Sequence, residues 1–180
     1  KPKAKILWVL PRKLPTLSLS ERVCEEMEIT LGQEIGFEVP NKKNHTQKTL
    51  LRFVTDAVLI NELIEKRKKS MAKNIKLDYS IIVLDEVHER NLYTDILLAS
   101  LKDICLESEM KLLVTSATIN EKVFEEYFDV KAIHVEGRPY PVEIDYCPLP
   151  ETNESLKQQI SSFEHIPHMA NCIANVVRKM

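Results

Sequence analysis

Ile81-Ile82-Val83-Leu84-Asp85-Glu86-Val87-His88-Glu89-Arg90 decides how this chain is read. Its first four residues are apolar, mostly β-branched, and do not alternate with polar ones, the pattern of a strand buried on both faces. Two carboxylates follow at once. Adjacent acids just past a buried strand repel each other and resist ionising unless something positive compensates. A Mg²⁺ ion held by one carboxylate is one compensator, leaving the second to orient and deprotonate a water for attack on a phosphate. The same acids could instead favour the N-terminus of a following helix. On these residues alone both readings stay open.

Outward from this strand, short apolar runs alternate with helical periodicity, which predicts an α/β domain: a mostly parallel sheet with helices on both faces. Ile6–Leu10, Gln33–Val39, Leu50–Val54 and Lys111–Thr115 read as further strands, and Ala132–Glu136 and Val142–Tyr146 as later ones. Pro15 suits a first helical turn and Ser18 with Glu21 a capping box, with Leu19, Val23 and Met27 as the core stripe. Pro40–Asn44 reads as a polar turn. Helices are expected over Asp56–Lys69, with Val58, Leu59, Leu63 and Ile64 as its apolar face, and over Leu92–Cys105. A short one capped by Asn120 would carry Val123, Phe124, Tyr127 and Phe128. At Pro148-Leu149-Pro150 the composition turns polar and proline-punctuated, so a boundary is expected there, with 149–180 as linker and the start of a second domain.

In open α/β sheets ligands bind beyond the carboxyl ends of the strands. Three such ends carry polar clusters: Asp85–Arg90, Ser116-Ala117-Thr118 and Thr55-Asp56-Ala57. The HExxH zinc pattern is excluded, because Leu92 stands where His88-Glu89 would need its second histidine. Neither Ser116 nor Thr118 lies in a Gly-x-Ser-x-Gly elbow, so a hydrogen-bonding role fits them better than a nucleophilic one.

The 180 residues, 44% apolar and 29% charged, suffice for one cored domain and a short extra piece. No apolar run approaches the roughly 20 residues of a membrane helix, and Pro11-Arg12-Lys13 interrupts the only run that follows a basic start, so neither a membrane nor a secretory signal is expected. The 4 cysteines, at 24, 105, 147 and 172, form no Cys-x-x-Cys pair, which argues against zinc and disulfides and for a reducing, intracellular compartment. A formal charge of −2 provides no broad basic field, so any nucleic-acid contact must come from a few local groups.

The ordered set Asp85-Glu86-Val87-His88-Glu89-Arg90, Thr94-Asp95-Ile96-Leu97, Ser116-Ala117-Thr118 and Gly137-Arg138-Pro139-Tyr140-Pro141-Val142 resembles the DEAH/RHA family of RNA helicases. Leu10-Pro11-Arg12-Lys13 is similar to the family's Pro-Arg-Arg motif and Thr55-Asp56-Ala57 to its Thr-Asp-Gly motif, so the resemblance spans about residues 6–148. It implies that 1–148 is most of a first RecA-like domain of P-loop NTPase type, from an enzyme that couples hydrolysis of ATP or another NTP to RNA unwinding or remodelling. By position it implies Asp85 and Glu86 at Mg²⁺, and Glu86 polarising the attacking water. His88, Ser116 and Thr118 would link nucleotide state to RNA, and Arg22 would stack on the nucleotide base. Arg12, Lys13 and Thr55 would hold RNA phosphates. It leaves room for a protein activator.

The chain departs from the pattern at Val87 (for alanine), Lys13 (for the second arginine, losing a planar fork) and Ala57 (for glycine). With only 3 glycines, Gly32, Gly36 and Gly137, it holds no Gly-x-x-x-x-Gly-Lys-Ser/Thr phosphate loop. That loop normally precedes the first strand read here, so N-terminal truncation is the expectation, and this chain by itself is expected to be a poor ATPase. A non-catalytic RNA-binding scaffold of the same fold and a DNA-directed translocase are the competing readings. The coding sequence just upstream of Lys1 discriminates the first of these.

Overall fold

The computed structural model describes residues 4–69, 75–117, 121–135 and 137. Six strands form one sheet: β1 (Ile6–Leu10), β2 (Ile35–Val39), β3 (Lys42–Asn44), β4 (Leu51–Thr55), β5 (Ile81–Leu84) and β6 (Lys111–Val114), in the order β3-β2-β4-β1-β5-β6. All neighbours are parallel except the β2–β3 pair. Among the described residues four α-helices connect or follow them: α1 (Lys13–Glu26), α2 (Asp56–Lys69), α3 (Leu92–Leu106) and α4 (Glu121–Phe128).

Strand alternation sends side chains to two cores. Leu7, Val9, Val54, Ile82 and Leu84 meet Leu59 and Leu63 of α2 and Leu97, Leu98 and Leu101 of α3. On the other face Ile35, Phe37, Val39 and Phe53 meet Cys24 of α1. The sheet therefore has helices on both faces, as the alternating pattern predicts. Leu7, Leu59, Ile82, Leu97 and Leu101 are fully buried, so truncating any one of them to alanine carries a cavity cost of about 2–5 kcal/mol.

Helix α1 corrects two expectations. Ser18 is interior and donates to the Leu14 carbonyl (3.1 Å), so it forms no capping box; Arg12 occupies the N-cap without a side-chain hydrogen bond. The fully buried residues are Thr16, Ser20 and Cys24; Leu19 and Val23 of the expected stripe are half-buried beside them against the same core, whereas Met27 is exposed. The hydroxyls are satisfied within the helix, Thr16 Oγ1 donating to Arg12 O and Ser20 Oγ to Leu17 O, both at 2.7 Å. Small side chains with internally paired hydroxyls let the helix sit close to the sheet without an orphaned polar group.

Lys42–Asn44, read as part of a turn, is instead the antiparallel edge strand β3 after a tight turn in which Asn41 adopts φ 65°. Its three exposed residues carry no hydrophobic period and pair through the backbone, and lysines suit a sheet edge. Gly36 permits the return of this segment: a Cβ there would lie 2.5 Å from Asn44 O and 2.7 Å from His45 Cβ. Ile64 is exposed, leaving Leu59 and Leu63 as the buried residues of the apolar face of α2. Residues 132–135 are not in a strand; Ile133 and Val135 are exposed and the Ala132 N–H donates to Glu125 Oε1 (2.8 Å).

The chain divides into two compact units, Lys1–Ile133 and His134–Met180, and every element named above belongs to the first. The Asn120 cap, the strand expected at 142–146, the boundary near 148 and the expected linker lie outside the described residues. Among the described residues no helix is long and apolar enough to cross a membrane.

Candidate functional site

Parallel pairing brings the carboxyl ends of β1, β4, β5 and β6 to one edge of the sheet. Leu10 is in register with Thr55, Val9 with Leu84, and Leu84 with Val114. The pairing runs one residue past β5: Asp85 N–H donates to Val9 O (2.9 Å) and Thr115 N–H to Leu84 O (2.9 Å). Asp85 is thus held at the sheet edge between Leu10 on one side and Thr115 on the other.

Three donors fix the Asp85 carboxylate. Trp8 Nε1 donates to Oδ2 (2.9 Å), Glu86 N–H to Oδ1 (3.0 Å), and the Thr115 hydroxyl to Oδ1 as well. Two donors fill the ordinary lone-pair capacity of Oδ1, while Oδ2 keeps one lone pair. The backbone then turns sharply. Glu86 sits at φ 56°, ψ 36°, in the left-handed region that costs a non-glycine residue about 1–2 kcal/mol. Val87–His88–Glu89 forms a single 3₁₀ turn, and Arg90 closes it at φ 49°. Val87 is fully buried, and its N–H donates to Thr115 O (3.2 Å), anchoring the turn to the end of β6. The β-branched residue in place of alanine is accommodated as core.

This turn presents Glu86 outward, its side chain 46% exposed, with Oε2 at 3.2 Å from His88 Nδ1. The same Nδ1 accepts from the Ala117 N–H at a longer 3.4 Å. One ring nitrogen cannot donate to a carboxylate and accept from an amide together. His88 therefore holds either Glu86 or the Ser116-Ala117 segment, and where the imidazole carries its proton selects which. Ser116 lies in that segment, half-buried; Thr118 falls outside the described residues.

The other predicted residues are placed as follows. Arg12, at the N-cap of α1, donates from Nε to Glu89 Oε2 (3.0 Å), and Lys13 is exposed in the first turn of that helix. Thr55 ends β4 but is only 4% exposed, with its Oγ1 enclosed and without a hydrogen-bond partner. In this arrangement its hydroxyl cannot reach a phosphate outside. Arg22 is exposed on α1 and paired along its own helix with Glu26 (2.8 Å) and Glu25 (3.7 Å). Ten residues beyond Arg12 at about 1.5 Å each, it is some 15 Å from Arg12 along the helix axis.

Asp56 follows β4 and is 5% exposed. Burial raises its carboxyl above the ordinary value, opposed by hydrogen bonds from the Ala57 N–H and the Asn91 and Thr94 side chains; the charge of Glu89 adds to the rise. Asn91 in turn caps α3 by accepting from Thr94 N–H (2.8 Å).

Trp8, Thr115 and Glu89 are the members that motif reading passes over. Trp8 is the single tryptophan, and its partly buried indole N–H requires an acceptor. Thr115 lies one residue past β6, and the β5–β6 register brings it beside Asp85. Among the described residues no group of three or more His, Cys, Asp or Glu converges on a metal position. A large cavity of about 1000 Å³ opens at the amino edge of the sheet, between Lys5, Glu34, Lys48 and Asp78, and none of the predicted residues lines it. No family model matches the chain.

Proposed function

We propose that this chain is the greater part of the first RecA-like domain of an ATP-dependent RNA helicase of the DEAH/RHA type, whose complete enzyme couples NTP hydrolysis to movement on RNA. One observation carries the reading. The Asp85–Arg90 and Thr115–Ala117 segments, distant in sequence, are joined at adjacent strand ends by Thr115 Oγ1 to Asp85, Val87 N–H to Thr115 O and Ala117 N–H to His88 Nδ1. A carboxylate pair linked to a second polar strand end is what transmission between hydrolysis and substrate binding requires.

Asp85, with Glu86 beside it, would hold a Mg²⁺ ion brought by the nucleotide, which would offset charge on the phosphates. Asp85 is preorganised for this by Trp8, Thr115 and its neighbour's N–H. Glu86, projected by its left-handed backbone, would orient water and take its proton. When Glu86 does so, its hold on His88 Nδ1 changes, and His88 can pass to Ala117; Ser116 and Thr118 would carry that change onward. Arg12 and Lys13 would grip RNA phosphates without regard to sequence. Thr55 supports that edge from within and would need its enclosure opened to take part. Arg22 would meet the base only after leaving Glu25 and Glu26. A protein activator and a nuclear or cytoplasmic site accord with the same reading.

The test is ATP turnover by the product of the complete gene, with and without RNA, in the native protein and in Glu86→Gln. Turnover should fall at least about a hundredfold, as for loss of a general base, while nucleotide binding persists. Unchanged turnover in the variant removes Glu86 as the water-orienting base. The absence of a Gly-Lys-Ser/Thr loop from these 180 residues favours a second reading, a scaffold that binds RNA without hydrolysis. Nucleotide-independent RNA binding with no turnover by the complete gene product selects it.

A further inference from the structure

Among the cations at the carboxyl edge, Arg90 is already engaged by both its Nε (3.1 Å) and Nη2 (3.2 Å) with Asp95. Arg12 and Lys13, among the described residues of that edge, are exposed. Arg12 is 69% exposed, yet its Nε is held at 3.0 Å by Glu89, whose side chain is only 26% exposed. The two partners are unequal in freedom. Glu89 belongs to the 3₁₀ turn, its N–H bonded to Glu86 O (3.0 Å) and its flanks fixed by the left-handed residues Glu86 and Arg90. Glu89 thus stands on a constrained turn in the more enclosed surroundings, and Arg12 is the more exposed partner. An anionic oxygen is thus built in where a phosphate oxygen would bind.

We propose that Glu89 is an internal competitor for the phosphate that Arg12 takes, an autoinhibitory contact that weakens binding of single-stranded nucleic-acid backbone in the resting protein. This rests on the reading of Arg12 as a phosphate ligand and adds the regulation of that site. An incoming strand must displace Glu89 or bind against its charge. Because Glu89 shares one turn with His88 and lies three residues from Glu86, its displacement acts on the segment that carries the water-orienting carboxylate.

The proposal makes Arg12 and Glu89 non-additive. Binding of a single-stranded oligouridylate to the complete gene product, followed by fluorescence anisotropy at several salt concentrations, reads this directly in the native protein, Glu89→Gln, Arg12→Ala and the double variant. Glu89→Gln should tighten binding about two- to fivefold, the scale of an exposed ion pair. It should also steepen the salt dependence by up to about 0.7 in log–log slope, one extra phosphate contact on a single strand. In the Arg12→Ala background the gain should vanish. A gain that persists there is general charge repulsion and overturns the proposal. Weaker binding by Glu89→Gln overturns it too, by showing that Glu89 positions Arg12 for phosphate. RNA binding that weakens with Arg12→Ala but ignores Glu89→Gln sinks this inference alone. If the native protein and all variants fail to bind RNA, the helicase reading falls with it.

Discussion

Asp56 and Glu86 both lie at the carboxyl edge of the same parallel sheet, one directly after β4 and the other two residues past β5, and they have opposite fates. Asp56 is buried, bonds the N–H of Ala57, is bonded by Asn91 and Thr94, and begins helix α2. Glu86 is half-exposed, sits on a left-handed backbone and has a histidine, itself shared with another strand end, as its close partner. The first carboxylate spends its lone pairs on holding α2 and α3 together. The second stands half in solvent beside His88. An acid at a strand end is therefore not a chemical group by position alone; strain, exposure and a contested partner distinguish it.

The largest expected effect separates the two in activity. Glu86→Gln should reduce ATP turnover by at least about a hundredfold. Asp56→Asn, which keeps an acceptor for the Ala57 N–H, should leave turnover within about threefold, as expected of a residue outside the reacting atoms. Comparable losses from the two would erase the distinction.

Next in size is Asp85, which stands between the two in character because it is fixed by three donors yet faces the site. Asp85→Ala strands Trp8 Nε1 and the Thr115 hydroxyl and should cost about 1–3 kcal/mol in urea unfolding. Asp85→Asn should cost less, since its remaining oxygen still accepts. An Asp85→Ala protein of native stability would mean the three donors contribute nothing.

Smaller still is the strain itself. Glu86→Gly should be more stable than Glu86→Ala by about 1 kcal/mol, because glycine alone enters φ 56° without a Cβ penalty. Equal stability would indicate that the turn is not left-handed in solution.

The smallest effect is in pH dependence. An unfolded aspartate ionises near pH 3.9, and burial raises Asp56 above that in the folded chain. The folded state then keeps its proton longer, so this contribution to stability is complete below about pH 4 and is lost as pH rises through the folded value. Asp56→Asn should flatten the stability profile upward from about pH 4. A profile that Asp56→Asn leaves unaltered would contradict the burial argument.

Much of this was legible in the residues. β1, β5 and α2 fall where periodicity puts them, and the polar ends of β4, β5 and β6 share the edge where an α/β sheet binds ligands. What was not legible depended on close packing. The fully buried stripe of α1, Thr16, Ser20 and Cys24, escapes a search for large apolar residues, which finds only its half-buried flank at Leu19 and Val23. The strand β3 has no hydrophobic period to betray it, being held by backbone pairing at an exposed edge. The enclosure of Thr55 and the pairing of Arg12 with Glu89 are tertiary facts that no motif encodes. Motifs pointed to one edge of the sheet; geometry separates its buried acid, Asp56, from its exposed one, Glu86.

The most direct test of that division is ATP hydrolysis by the complete gene product at increasing concentrations of single-stranded RNA. The account predicts turnover that RNA raises severalfold or more and that Glu86→Gln abolishes while Asp56→Asn preserves. Hydrolysis indifferent to RNA, or equally sensitive to both substitutions, would contradict it.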